Sequence, residues 1–251
     1  MPRVARRHSA SSIYHVMNRG EGRQIIFEDD ADRAFFMRRL DDLLSEGHGT
    51  LLAWCLLDNH FHLLANIRLD FLEKLMHRLQ TAYAGYFNRV HLHDGAVFGG
   101  RFRSEPVDTD EYLMTVVRYI HENPSKAGLG GLDYRWSSYR EYCGRAVHVV
   151  PGLVLGVFGG ISQFQTFHSA EHGDEGCLDM AGLPKRGIGD EDARRMADEL
   201  LGQGAAASLR RRSRAERDEG LSSLKAAGLS ARQIQRLTGI SLGTISRAGR
   251  T

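Results

Sequence analysis

Three cysteines in 251 residues, Cys55, Cys143 and Cys177, are too scattered and odd in number for a disulfide framework, and no CxxC pair offers a zinc knuckle. Long apolar runs are also missing: none approaches the roughly eighteen uninterrupted apolar residues of a membrane span. The N-terminus MPRVARRHSASS is basic but has no apolar segment behind it, so it does not read as a secretory leader. The chain is expected in the cytoplasm, with no membrane partner. No internal repeat or low-complexity tract interrupts it. Net charge is small at +2, yet it is unevenly spread. From Ser208 to Thr251 there are ten Lys and Arg against three Asp and Glu, a balance of +7, which leaves −5 for the rest. Arg3, Arg6 and Arg7 form a second basic cluster, with Arg19 and Arg23 following. Basic ends on a neutral body point to a polyanionic partner. A merely solubilising tail is the alternative.

The periodicities fall in a definite order. SSIYHVMNRG alternates as a strand ending at Gly20, and EDDADRAFFMRRLDDLLSEG has helical spacing with Gly47 as its stop. TLLAWCLLDNHFHLLANI predicts a strand pair turning near Asp58 and Asn59, followed by the long amphipathic helix LDFLEKLMHRLQTAYAGYFNRVH. AVFGGRFRSEPV then predicts a strand, and TDEYLMTVVRYIHEN a further helix. Strand, helix, two strands, helix, strand, helix fits an α+β class: a ferredoxin-like antiparallel sheet with helices packed on one face. The Gly-rich stretch VVPGLVLGVFGGISQF receives no assignment, and residues from about 190 to 219 read as a charged helical connector.

Two histidines interrupt the apolar pattern of DNHFHLLAN. In a strand, period two sends Phe61, Leu63, Ala65 and Ile67 to one face and His60, His62, Leu64 and Asn66 to the other. Residues i and i+2 are roughly 6.5 to 7 Å apart, so two inward-leaning imidazoles can share a cation with bonds near ~2.1 Å. A hydrogen-bonded pair on a solvated face is the other reading. HLHDG repeats the spacing at His91 and His93 but sits at a helix end without alternation, and ranks below the first pair. Leu64, where a third histidine would be needed, excludes a histidine-triad hydrolase.

On the helix after TDEYL, capped by Thr109 or Asp110 and expected to stop at Pro124, Leu113, Val117 and Ile120 form the apolar face. Arg118, His121 and Glu122 are expected in solvent. Tyr112, Val116, Tyr119 and Asn123 line the border of that face. Tyr119 and Asn123 stand one turn apart. Asn123 can complete a cation site begun by His60 and His62, with Mg²⁺ or Mn²⁺ polarising a phosphodiester while Tyr119 attacks it. A half-buried core tyrosine is the alternative.

The motifs YHVMNRG, DNHFHLLAN, GGRFRSEPVDTDEYL and RYIHENPSKAGL occur in the order and spacing of the REP-associated tyrosine transposases, a branch of the single-tyrosine HUH transposases. The resemblance covers residues 8–142. It implies a bacterial single-strand DNA endonuclease and strand transferase. In it a divalent ion is held by His60, His62 and Asn123, Tyr119 is the nucleophile, and a 5′-phosphotyrosine intermediate forms on repeat-derived single-stranded or hairpin DNA. Relatives differ over whether the tyrosine serves its own subunit or a partner's, so both monomer and homodimer stay open. Arg19, Arg23, Arg101 and Arg103 are candidate DNA-backbone contacts. Tyr83, Tyr86 and Phe87 could stack on bases, but their helical spacing favours the core.

The tail GLSARQIQRLTGISLGTISRAGR resembles a helix-turn-helix, with Ile234, Leu237, Ile240 and Ile245 as its core and Gly239 in the turn. Ser241, Thr244 and Arg247 would face a major groove, and Arg232 and Arg236 would reach phosphates. The expected organisation is a transposase domain over 1–150, a partly helical connector over 151–215 and a DNA-binding segment over 216–251. A DNA-binding regulator with an idle core is the rival to an enzyme.

Overall fold

IYHVMNR, residues Ile13–Arg19, forms β1, and all of it but the last residue is buried. Successive strand residues face opposite sides, so both faces of β1 must be covered and it must lie inside a sheet. The computed structural model, which describes residues 6–171, 177, 190–229 and 231–248, places β1 between β3 (His60–Asn66) and β4 (Arg103–Pro106). β2 (Thr50–Leu57) lies beyond β3, giving the order β2-β3-β1-β4 with every pairing antiparallel. With α1 (Asp30–Glu46) joining β1 to β2 and α2 (Leu69–His91) joining β3 to β4, this is the ferredoxin-like βαββαβ arrangement.

α1 starts where the Asp29 side chain accepts the Asp32 N–H at 3.0 Å. It ends at Gly47, where a Cβ would lie 2.2 Å from the Phe71 ring, so a larger residue would have to displace that ring. Its Phe36 ring packs 4.9 Å from Phe61 of β3 and 5.4 Å from Tyr83 of α2. Phe27 joins them at 5.3 Å from both Phe36 and Tyr83. Burying such rings contributes about 1.5–3 kcal/mol each. Tyr83 and Phe87 are both buried, so they belong to packing.

α3 (Asp110–Lys126) covers the opposite face: its Tyr119 ring lies 5.5 Å from His62, whose side chain points away from Phe61. The Thr109 hydroxyl caps it by accepting the Tyr112 N–H at 3.2 Å. Two expectations for this helix are corrected. It runs through Pro124 to Lys126, because a proline in the last turn costs one hydrogen bond and the following Ala127 N–H still reaches the Asn123 carbonyl at 3.0 Å. Arg118 and His121 are buried, at 4% and 0% exposure, because a later segment packs over their side of the helix.

That later segment begins along the outer edge of β2. Leu56 N–H donates to the Trp136 carbonyl, Ser138 N–H to Trp54, and Val150 N–H to Leu51, each at 2.9 Å, which closes an otherwise open strand edge. After α4 (Tyr139–Cys143), the Glu141 carboxylate accepts the Trp54 Nε1–H at 2.9 Å and the backbone N–H groups of Val147, His148 and Val149 at 2.7, 2.7 and 3.1 Å. The unassigned Gly-rich stretch is two helices, α5 (Gly152–Phe158) and α6 (Ile161–Ser169), divided at Gly159, whose φ of 80° glycine alone adopts readily.

α7 (Asp190–Leu201), α8 (Ala205–Ser208), α9 (Arg214–Ala226), α10 (Ala231–Thr238) and α11 (Leu242–Arg247) follow. They bury Ala193, Ala197, Leu209, Leu221, Leu224, Ile234, Ile240 and Ile245 in a core of their own. A capping box between Ser213 and Glu216 starts α9, and Gly239 turns between α10 and α11 at φ 67°. The chain forms two compact units. One contains the sheet, α1, the start of α2, and α3 to α6; the other contains the end of α2 and α7 to α11. No helix among the described residues is long and apolar enough to cross a membrane.

His148 ties the edge segment to α1 through a 2.7 Å contact with the Asp41 carboxylate, and that hydrogen bond raises its pKa above the ordinary imidazole value. A raised folded-state pKa contributes stability that is complete below the unfolded value, near ~6.5, and is lost as pH rises through the folded value. His148→Gln is therefore expected to cost more stability at pH 5 than at pH 9, read from urea unfolding at the two pH values.

Candidate active site on the α3-covered face of the sheet

The pairing register decides what shares the face of the sheet under α3. Met17 of β1 stands opposite His62, Arg19 opposite His60 and His15 opposite Leu64, while Arg103 and Glu105 of β4 stand opposite Met17 and His15. Directly paired residues share a face. His60, His62, His15, Arg19, Arg103 and Glu105 therefore look toward α3 together. His62 is completely buried and His60 half-buried, so this face is not the solvated one that a bland pair of histidines would occupy.

The ring geometry is close. His60 and His62 have centroids 5.2 Å apart at 79°, and the Tyr119 ring meets His62 edge-on at 5.5 Å. His15, which the sequence did not single out, has its ring 5.2 Å from His62 and 6.0 Å from Tyr119. Lys126, also not singled out, places its ammonium 4.7 Å from the Tyr119 ring centre. Burial, and then the charges of His60, His15, Arg19 and Lys126, hold the pKa of His62 well below the ordinary imidazole range. It is therefore neutral at neutral pH, the form a metal needs. Tyr112, a turn earlier on α3, is occupied differently: its hydroxyl donates to Glu105 at 2.8 Å, and burial with that contact pushes its pKa up.

Among the described residues no group of three or more His, Cys, Asp and Glu side chains is arranged to hold a metal ion. The foreseen set contains only two such side chains, both histidines, with an amide as the third. Its chemistry fits a cation. His60 Nδ1 lies 2.7 Å from the Asn59 side-chain oxygen, which assigns the proton to Nδ1 and the lone pair to Nε2. His62 Nε2 is buried with no hydrogen-bond partner among the described residues. Asn123, 7% exposed, donates its amide N–H to the Tyr119 carbonyl at 2.7 Å, so its oxygen is the atom that could coordinate a cation.

The candidate backbone contacts are scattered. Arg101 and Arg103 are exposed, Arg19 is half-buried beside His60, and Arg23 is half-buried in a single 3₁₀ turn with φ 66°. Arg6, from the N-terminal basic cluster, is engaged internally: it pairs with Glu73 at 2.6 Å and lies over the Phe102 ring at 3.8 Å. In the tail, Arg236 and Arg247 are exposed, and Thr244 Oγ1 is 3.0 Å from Ser241 Oγ. The Arg232 side chain lies outside the described residues, as does Arg3. The second HxH pair is structural: His91 packs on Phe87 with centroids 4.5 Å apart, and His93 bridges Asn88 at 2.9 Å and Gln24 at 3.0 Å.

Residues 8–123, from before β1 to Asn123, match the model of the IS200-like transposase family. The match covers just under half of the chain, and that part is similar to the IS200-like transposase family. Among solved structures, the chain is similar to a REP-associated tyrosine transposase bound to a REP hairpin, at 15% identity and a TM-score of 0.49, over 60% of this chain and 89% of that one. A protein described as a transposase from Deinococcus radiodurans R1 is similar at 13% identity and a TM-score of 0.35, over 52% of this chain and 99% of that one. No curated protein matches the chain.

Behind the tyrosine, α3 is held by a polar chain that the sequence did not reveal. Trp54 N–H donates to Ser138 Oγ at 2.9 Å, and that hydroxyl donates to His121 Nε2 at 2.8 Å. His121 Nδ1–H then donates to His168 Nε2 at 2.9 Å, and His168 Nδ1–H to the Phe164 carbonyl at 2.8 Å. This sequence of donors closes with both rings neutral, in agreement with burial and the His168 charge lowering the pKa of His121. His121→Leu is expected to remove the acceptor of the Ser138 hydroxyl and the donor to His168 Nε2, and to cost about 1–3 kcal/mol in urea unfolding.

Proposed function

We propose that this chain is a transposase that cleaves and rejoins single-stranded DNA at repeat-derived hairpins, with Tyr119 as the nucleophile. The observation that carries the reading is the Tyr119 ring 5.5 Å from His62, on the face where His60 also projects. In the cleavage step the phenolic oxygen of Tyr119 bonds to phosphorus as the bond from phosphorus to the 3′-oxygen breaks. The phenolic proton ends on the released 3′-hydroxyl, and the 5′ side stays linked as a phosphotyrosine. The exchange conserves one phosphoester bond, so a 3′-hydroxyl attacking the linkage reverses it and rejoins the strand.

His60, His62 and Asn123 would hold Mg²⁺ or Mn²⁺, which supplies Lewis acidity against the charge that builds on the phosphate oxygens. Two imidazoles and an amide, with positions left for substrate, suit a catalytic ion better than a closed structural one. Lys126 adds fixed positive charge beside the phenol, where the anionic strand must approach. Arg19, Arg23, Arg101 and Arg103 are the proposed contacts to the DNA backbone.

The last segment, residues 216–251, is proposed as a helix-turn-helix tethered to the catalytic domain, which would raise its local concentration at a repeat. Gly239 in the left-handed turn and the buried Ile234, Ile240 and Ile245 support this reading. Arg236 and Arg247 are the exposed contacts, with Arg232 and Thr244 as the remaining candidates.

Incubating the full chain with labelled hairpin oligonucleotides and Mn²⁺ should give a denaturant-resistant protein–DNA adduct that Tyr119→Phe abolishes. An adduct that persists in the variant would remove Tyr119 from the role, and its absence from the wild type across repeat hairpins would favour a regulator with an idle core. For the tail, Arg236→Ala should weaken duplex binding similarly across sequences. It should also lower the slope of log K against log salt by about 0.9, as for one lost phosphate contact.

A further inference from the structure

A buried imidazole nitrogen that binds a cation must keep its lone pair, so something has to hold the proton of that ring on the other nitrogen. For His60 this is the neighbouring Asn59 oxygen. For His62, Nδ1 lies 3.0 Å from another histidine nitrogen, His15 Nε2. His15 lies on β1, two residues before Met17, the register partner of His62, so the two imidazoles are diagonal neighbours on one face of the sheet. Both are 0% exposed, and their rings are tilted by 31°.

Two neutral imidazoles sharing one hydrogen bond allow two arrangements. If His15 donates, His62 carries its proton on Nε2. That buried N–H has no lone pair to offer, so it cannot bind a cation. If His62 donates from Nδ1, His15 accepts on Nε2 and His62 Nε2 presents a lone pair. The second arrangement moves the His15 proton to its own buried Nδ1 and leaves a ligand at His62 Nε2, so it is the one a cation at that nitrogen selects.

We propose that His15 is a positioning residue of the metal site: it accepts the Nδ1 proton of His62 and so fixes the tautomer whose Nε2 binds the divalent ion. The proposal rests on the metal role of His62 given above. Ligating histidines usually donate their second N–H to a carboxylate, a carbonyl or water, and loss of that acceptor lowers metal affinity about 10- to 100-fold. An imidazole as the acceptor leaves the site without added negative charge. It also fills space under Tyr119, from which its ring stands 6.0 Å.

The test uses the full chain in two measurements. ¹⁵N NMR of the metal-free protein, with imidazole nitrogens labelled, should find His62 protonated on Nδ1. Calorimetric titration with Mn²⁺ alone should then give an affinity about 10- to 100-fold weaker in His15→Phe, which keeps a ring in the space. His15→Gln, whose side-chain oxygen can accept the same proton, should recover most of the loss. Thermal unfolding of each variant establishes that it is folded. His62 protonated on Nε2 in the wild type, or Mn²⁺ binding unchanged in His15→Phe, overturns this proposal alone. No Mn²⁺ binding by the wild type overturns the metal reading and the proposal together.

Discussion

The alternation of side chains along β3 governs everything built on the sheet. Phe61, Leu63 and Ala65 go to the side where Phe36 and Tyr83 wait, and His60 and His62 go to the side covered by α3. A slip of one residue would exchange the two sets, burying imidazoles among phenyl rings and presenting Phe61 to Tyr119. The aromatic packing on one face therefore fixes the register, and the register fixes the site on the other. Met17 opposite His62 and Arg19 opposite His60 follow from the same pairing.

Precise placement of a tyrosine also needs a rigid helix under it, and α3 is held from both sides. Leu113, Val117 and Ile120 are buried with the sheet, while its outer side is secured by polar contacts. Arg118 donates to the Phe167 carbonyl at 3.3 Å and lies 4.0 Å from that ring, and His121 reaches Ser138 and His168. These partners lie between residues 138 and 168, beyond the part that matches the transposase family. The buttress and the matched part are thus separate in sequence and continuous in structure. The buried chain from Trp54 through Ser138, His121 and His168 to Phe164 specifies one orientation, since a displaced helix would break several of its bonds at once.

Much of this was legible in the residues. The βαββαβ order, the strand pair turning at Asp58, the HxH pair and the tyrosine one turn before Asn123 all follow from periodicities of two and 3.6. What was not legible depended on partners distant in sequence. His15 looks like an ordinary strand residue until the β1–β3 register sets it beside His62. His121 falls on the polar side of an isolated helical wheel, and it becomes buried because α4 and α6 cover that side. Pro124 was read as a stop, yet at the end of a helix its missing N–H removes a single bond. The Gly-rich stretch hid α5 and α6 because glycine lowers helix propensity, and tertiary packing around Phe158 and Phe164 overrides it.

The central claim is that a phenol and an imidazole-bound ion meet within one chain. Paramagnetic broadening measures it directly: the protein carries ¹³C-labelled tyrosine rings, the Tyr119 signal is assigned by its loss in Tyr119→Phe, and Mn²⁺ is added. The account expects the Tyr119 resonance to vanish at stoichiometric Mn²⁺ and to persist in His62→Ala. A sharp Tyr119 signal in wild-type protein that has bound Mn²⁺ would contradict it.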